Sequence, residues 1–147
     1  MTQVDFYVLP SDSSESRLLL ACRIADKAVQ QSRQVLINTD SASETARLDE
    51  LLWTFSQGSF IPHRVVDDKT AGAAPAEPVL IGCGVAPAGE DWHVLINLAA
   101  GVPDFFSRYR RVAELVDGNE TRREQGRERF RFYRDRGYEL NTHQVSA

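Results

Sequence analysis

An α/β domain, built on a mostly parallel sheet with helices on both faces, is the fold class that this 147-residue sequence predicts. Three observations carry the prediction. Short apolar runs of strand length alternate with stretches of helical periodicity through the N-terminal half. A strand, a helix and a second strand in succession imply a right-handed crossover between parallel strands. With 42% apolar residues, the chain is long enough to bury one continuous core as a single domain spanning residues 1–147.

Val4 to Leu9 alternate and are rich in β-branched and aromatic types, and Pro10-Ser11-Asp12 stops them, so a first strand ends in a turn. Ser13 or Ser14 can cap the helix that follows, where Leu18, Leu19, Cys22, Ile24, Ala25, Ala28 and Val29 recur at helical spacing. Gln34 to Asn38 is the second strand. Ser41-x-x-Glu44 has capping-box spacing, and Ala46, Leu48, Leu51, Leu52 and Trp53 build a second helix that Ser56-Gln57-Gly58 ends.

Phe60-Ile61-Pro62-His63 is extended, because a residue before proline is driven out of the helical region, and Val65-Val66 can prolong it as a short strand. Residues 67–78 (DDKTAGAAPAEP) read as a flexible surface loop. Val79–Ile81 and His93–Leu98 are strands on either side of a second loop. A one-turn helix at Pro103–Ser107 and a strand near Arg111–Val116 precede a last helix, which Asn119 can cap and Gly137 can end. The last few residues are expected to fray. Leaving the short Val65-Val66 extension uncounted, the predicted order, β-α-β-α-β-β-β-α, is that of a Rossmann-like, doubly wound sheet.

Such a fold invites a nucleotide, yet the first strand-to-helix turn, Leu9 to Ser14, holds no glycine, where a dinucleotide fingerprint requires GxGxxG. Gly82-Cys83-Gly84 follows a strand but leads into another loop rather than a helix, and no GxxxxGK[ST] occurs. Hydrolytic motifs are missing too. His63, His93 and His143 are far apart in sequence, and neither HExxH nor GxSxG is found. The pairs Asp67-Asp68 and Glu90-Asp91 lie in expected loops without the further oxygen ligands a hard cation needs. Cys22 and Cys83 lack CxxC spacing and are expected to be buried free thiols. The expectation is a chain without catalytic residues, metal or cofactor. An acid at Asp5 and the lack of a basic leader or a long apolar run point to the cytoplasm and away from membranes.

Charge is distributed unevenly. Between Thr121 and Gly137, seven arginines face three acids, a net +4, whereas the rest holds ten bases and eighteen acids, a net −8. An acidic body with one basic helix repels a long polyanion but leaves a docking patch for a short acidic ligand. Arg123, Arg127, Phe130, Arg131 and Arg134 are spaced i, i+4, i+7, i+8, i+11, a stripe with cationic and aromatic groups side by side. Guanidinium groups take carboxylates in bidentate fashion, and an apolar neighbour such as Phe130 or Val116 can wall a slot for an aromatic ring. Elsewhere, Trp53, Phe55, Phe60 and Ile61 crowd around Gly58 and Pro62, more apolar surface than a short connection normally exposes.

Two stretches resemble a known family. Arg47-Leu-Asp-Glu-Leu-Leu-Trp53 with the later Phe60-Ile-Pro-His63, and Arg127-Glu-Arg-Phe130 through Arg134 and Gly137 to Leu140-Asn-Thr142, are similar to the chi subunit of bacterial DNA polymerase III holoenzyme. The likeness extends to the opening Phe6–Leu9 and Val35–Ile37 strands and the basic last helix. It implies a non-catalytic member of the clamp-loader assembly, in touch with the clamp loader through the psi subunit. It also implies binding of the acidic, phenylalanine-ended tail of single-stranded DNA-binding protein, which tethers the replicase to coated template. By the resemblance Arg127 takes the tail carboxylate, with Arg123, Phe130, Arg131, Arg134 and Val116 around it, while Trp53, Phe60, Pro62 and His63 face psi. Phe130 stands where the family often has tyrosine and brings no hydroxyl. Little or no direct DNA binding is expected. Two rival readings remain: a nucleic-acid-binding module with the arginine helix along a phosphate backbone, and a nucleotide-using enzyme.

Overall fold

The computed structural model describes residues 1–56, 58, 60–68 and 76–146. Seven strands form one sheet: β1 (Gln3–Val8), β2 (Val35–Asn38), β3 (His63–Val66), β4 (Val79–Gly82), β5 (Trp92–Asn97), β6 (Tyr109–Val116) and β7 (Glu139–Gln144). Among the described residues three α-helices accompany them: α1 (Ser14–Gln30), α2 (Ala42–Thr54) and α3 (Glu120–Asp135). The strand order is β3-β4-β2-β5-β6-β1-β7, and every neighbouring pair is parallel. The expected α/β class and Rossmann-like sheet are thus what the chain adopts.

Parallel strands buried on both faces read as apolar runs because neither set of side chains meets water. In β2, Val35 and Ile37 join the core shared with α1 and α2, where Leu18, Ala21, Ala25, Leu48 and Leu52 pack. Leu36 points the other way, into a second core with Phe6, Leu80, Leu95, Phe106 and Tyr133 of α3. The sheet therefore carries α1 and α2 on one face and α3 on the other. Ser13 and Ser41 cap α1 and α2 with their side-chain oxygens, accepting from Ser16 and Glu44 N–H, and Asn119 caps α3 by accepting from Arg122 N–H.

The structure corrects several expectations. β7 is absent from the predicted order: its sequence, ELNTHQ, has one apolar residue and no alternation, and only pairing with β1 makes it a strand. Its neighbour Val145 donates its N–H to Val8 C=O at 2.9 Å and packs on the core, and Ala147 lies outside the described residues. The one-turn helix is a 3₁₀ turn displaced to Phe106–Arg108, and the strand after it starts at Tyr109. Cys22 is buried, its thiol pushed up to about 12 by burial, but Cys83 is exposed, because the Gly82–Gly84 loop turns it off the end of β4. Ile61 belongs to the core rather than to an exposed cluster. Of the expected 67–78 loop, residues 69–75 lie outside the described residues, and Glu77 near its end pairs with Arg64 at 2.9 Å.

Candidate functional site: a groove beneath the arginine helix

The start of α3 is fastened before the helix begins. The Asp117 carboxylate, fully buried, accepts from Ser13 N–H at 3.1 Å and from Arg122 Nε and Nη2 at 2.8 and 2.7 Å. Burial pushes its pKa up, but the hydrogen bonds from Arg122 and Asn119 and the nearby guanidinium charges outweigh that and leave it below the usual carboxylate value. Asp117 thus joins the N-termini of α1 and α3.

Further along, α3 is held by a buried polar network. Glu114 of β6, with no exposed surface, accepts from Arg129 Nε at 2.8 Å, Tyr133 Oη at 2.7 Å and Asn97 Nδ2 at 3.0 Å. Asn97 in turn accepts from Asn38 Nδ2 at 3.0 Å, and Arg129 donates its Nη1 to Ala100 C=O at 2.9 Å. A buried carboxylate with three donors and a buried guanidinium with two acceptors meet the condition under which burying charge is tolerated. One of the seven arginines is therefore spent inside, with a rotation of α3 fixed by it.

That rotation opens a groove between α3 and the β1–β7 edge, of about 350 Å³, lined by Phe6, Val8, Val116, Arg123, Gly126, Arg127, Phe130, Thr142 and Gln144. Its floor is apolar. Phe6 and Phe130 rings lie 5.3 Å apart, and Gly126 sits so close to the sheet that a Cβ there would come within 3.0 Å of Val116 Cγ2. Arg123 and Arg127 line it with both side chains exposed. Among the described residues, Arg127 pairs only with Glu124 one turn earlier, at 2.8 Å, with both partners about 60% exposed. Such a pair is worth less than about 1 kcal/mol and yields to a better acceptor.

Four of the six residues expected here, Arg123, Arg127, Phe130 and Val116, surround the groove. Arg131 and Arg134 do not. At 100° per residue Arg131 is rotated off the stripe and pairs with Glu128, and Arg134, on the stripe, lies about 16 Å along the axis from Arg123 and bonds to Asp135. Sequence reasoning missed Gly126, for which a glycine inside a helix was the available signal. It also missed Phe6 and Val8 from β1 and Thr142 and Gln144 from β7.

At the opposite edge of the sheet, Trp53 is 54% and Phe60 62% exposed, and Val65 is exposed on the same face of β3 as His63. The Trp53 ring centroid lies 5.0 Å from those of both Phe60, against which it is tilted, and His63, which it meets edge to face. His63 is almost wholly covered: its Nδ1–H donates to Ile61 C=O at 2.7 Å, and Nε2 lies 3.0 Å from Asp49 Oδ1, off the hydrogen-bonding direction. Pro62 is exposed beside it. His63 thus props Trp53 from behind, while Trp53, Phe60 and Pro62 offer the surface.

Comparison with known proteins covers nearly the whole chain. Residues 1–141 match the family model described as DNA polymerase III chi subunit, HolC. DNA polymerase III subunit chi of Pseudomonas aeruginosa is 40% identical over 145 residues, covering 99% of this chain and 98% of that protein. The Escherichia coli subunit of the same name is 30% identical, with 97% of each chain covered. Among solved structures, T4 UvsW superposes with a TM-score of 0.71 at 10% identity, and Mss116p DEAD-box helicase domain 2 bound to an RNA duplex with 0.62 at 14%. This chain spans 99% and 97% of its own length in those matches but only 42% and 65% of theirs, a likeness of fold alone. The end-to-end match to proteins of the same length is of another kind, and by it the chain belongs to the family of DNA polymerase III chi subunits.

Proposed function

We propose that this chain is a non-catalytic adaptor of the cytoplasmic replicase: it grips the acidic C-terminal tail of single-stranded DNA-binding protein in the α3 groove and pairs with the psi subunit through the Trp53 face. The clamp loader is then reached through psi. The observation that carries this reading is the groove, where two exposed arginines stand over an apolar floor. An acidic peptide ending in phenylalanine matches it group by group. The ring enters between Phe6, Val116 and Phe130, and the terminal carboxylate meets Arg127, with Arg123 beside it for an upstream acid. Arg131 and Arg134, further along the helix, act on such a tail only as surrounding charge. The Trp53 patch has the aromatic content of an interface hot spot, which suits a larger apolar partner surface.

The test is a side-by-side titration at physiological salt of a labelled acidic peptide ending in phenylalanine and of labelled DNA. The peptide is expected to bind with a Kd of roughly micromolar, about −8 kcal/mol, and DNA little or not at all. Tight DNA binding with no response to the peptide would replace the adaptor by a nucleic-acid-binding module.

A further inference from the structure

On the other face of the sheet, α1 and the N-terminal ends of β5 and β6 enclose a cleft of about 430 Å³ that neither proposed partner uses. Arg23, Lys27, Arg33 and Arg111 line it against one acid, Asp5. Asp5 is already engaged, accepting from Arg111 Nη2 at 2.8 Å and lying 3.1 Å from His143 Nε2. Among the described residues, Arg23, Lys27 and Arg33 have no carboxylate partner. On α3, by contrast, Arg122, Arg127, Arg129, Arg131 and Arg134 each have one, and Arg123 alone donates to a backbone carbonyl instead, that of Asp117. A cluster of cations without carboxylate partners therefore sits on the body that the sequence makes acidic.

The backbone holds this row in place. Arg23 and Lys27 are i, i+4 on α1, about 6 Å apart along the axis. The helix then closes with Ser32 in the left-handed region, φ 60°, its N–H bonded to Val29 C=O and the Arg33 N–H to Ala28 C=O. Arg33 is thus turned back beside the last turn. Three cations, Arg23 and Lys27 one helical turn apart and Arg33 just past the end of the helix, line a cleft whose floor is made by Tyr7 and the apolar residues of β5 and β6. We infer that this cleft is a second binding site, for the sugar-phosphate backbone of single-stranded nucleic acid. A regular run of single charges on a chain with apolar sugars fits a row of three cations over an apolar floor, and the polyanion at hand for a polymerase subunit is DNA. Its position on the α1 face leaves the α3 groove free, so strand and peptide can be held together. The inference does not depend on the tail-binding reading.

Three contacts give only weak affinity, with a log–log salt slope of about −0.7 per phosphate on single strands, so binding seen at low salt fades at physiological salt. The experiment is fluorescence anisotropy of the full chain with labelled oligothymidylate across a salt series, for wild type, an Arg23→Glu/Lys27→Glu variant and Arg127→Ala. Wild type and Arg127→Ala are expected to bind alike at low salt. The double variant, changed only at exposed positions and checked by its melting temperature, is expected to bind at least about tenfold more weakly, with a slope shallower by about 1.4. No binding by wild type at low salt, or a loss on Arg127→Ala with the double variant unaffected, would overturn the inference. Displacement of the oligonucleotide by polyglutamate at equal charge concentration would overturn its assignment to nucleic acid. Peptide binding that fails while this pattern holds removes the tail reading alone.

Discussion

The two edges of the sheet are finished in opposite ways. At the β7 edge the aromatic rings, Phe6 and Phe130, are withdrawn into a groove and the surface is left to arginines. At the β3 edge the rings, Trp53 and Phe60, stand out in solvent and the polar group, His63, is withdrawn behind them. A recessed apolar floor under a cationic rim selects a narrow, charged segment. A raised aromatic patch gains only from a surface broad enough to cover it. The difference also extends to rigidity: the groove depends on a helix fixed by a buried ion pair, whereas the aromatic patch rests on local packing within α2 and the segment after it.

The hardest test of that contrast is removal of the buried pair. Arg129→Ala is expected to cost about 3–5 kcal/mol of stability, because it leaves Glu114 buried and uncompensated. Urea titration reads the cost; at temperatures where the variant is folded, peptide binding should weaken much more than psi pairing. Next in size is the exchange of partners. Arg127→Ala should lower peptide affinity by about 2 kcal/mol or more while psi pairing, read by co-purification, is unchanged, and Trp53→Ala or Phe60→Ala should do the reverse. Equal losses for both partners in both variants would merge the two faces into one.

Acid should weaken the anchoring of the groove helix. The folded-state pKa of Asp117 is depressed below its ordinary value of 3.8, so its contribution to stability is present above that value and lost as the pH falls through the depressed one. Asp117→Asn is expected to flatten the fall in melting temperature below that pH and, at neutral pH, to cost about 1.5–3 kcal/mol from hydrogen bonds made to a charge. A wild-type acid limb unchanged in the variant would assign acid sensitivity elsewhere.

Smaller effects sharpen the picture of the groove itself. Gly126→Ala gains up to about 1 kcal/mol of helix propensity, offset by pressure on Val116, so stability should change little. Its methyl group nevertheless fills the floor, and peptide affinity measured by anisotropy should fall about tenfold, about 1.4 kcal/mol. Least of all, Glu124→Gln releases Arg127 from its surface partner. Stability should shift by less than about 0.5 kcal/mol and peptide binding should tighten about twofold.

Much of this was legible in the sequence because it is written in local pattern. The periodicity of Leu18 to Val29, the caps at Ser13, Ser41 and Asn119, and the apolar runs at Val35–Ile37 and Val79–Ile81 each depend on near neighbours, and each became the expected element. β7 did not, since a polar strand at an edge has no pattern of its own and exists only because β1 offers it hydrogen bonds. Of the groove, Arg123, Arg127, Phe130 and Val116 were readable from spacing and resemblance. The floor from Phe6 and Val8 and the wall from Thr142 and Gln144 were not, because strands distant in sequence meet there.

Taken alone, the sequence determined the fold class, the family and the places where arginines and aromatic rings accumulate. Only the tertiary structure decided which of those charges remain available: Arg129 is consumed by Glu114, Arg122 by Asp117, while Arg23, Lys27 and Arg33 on the acidic body keep theirs. The reason is physical. Net charge is a sum over residues and can be counted along the chain, but the field at a surface depends on which opposite charges lie within a few ångströms, and that is set by strand order and helix rotation rather than by position in the sequence.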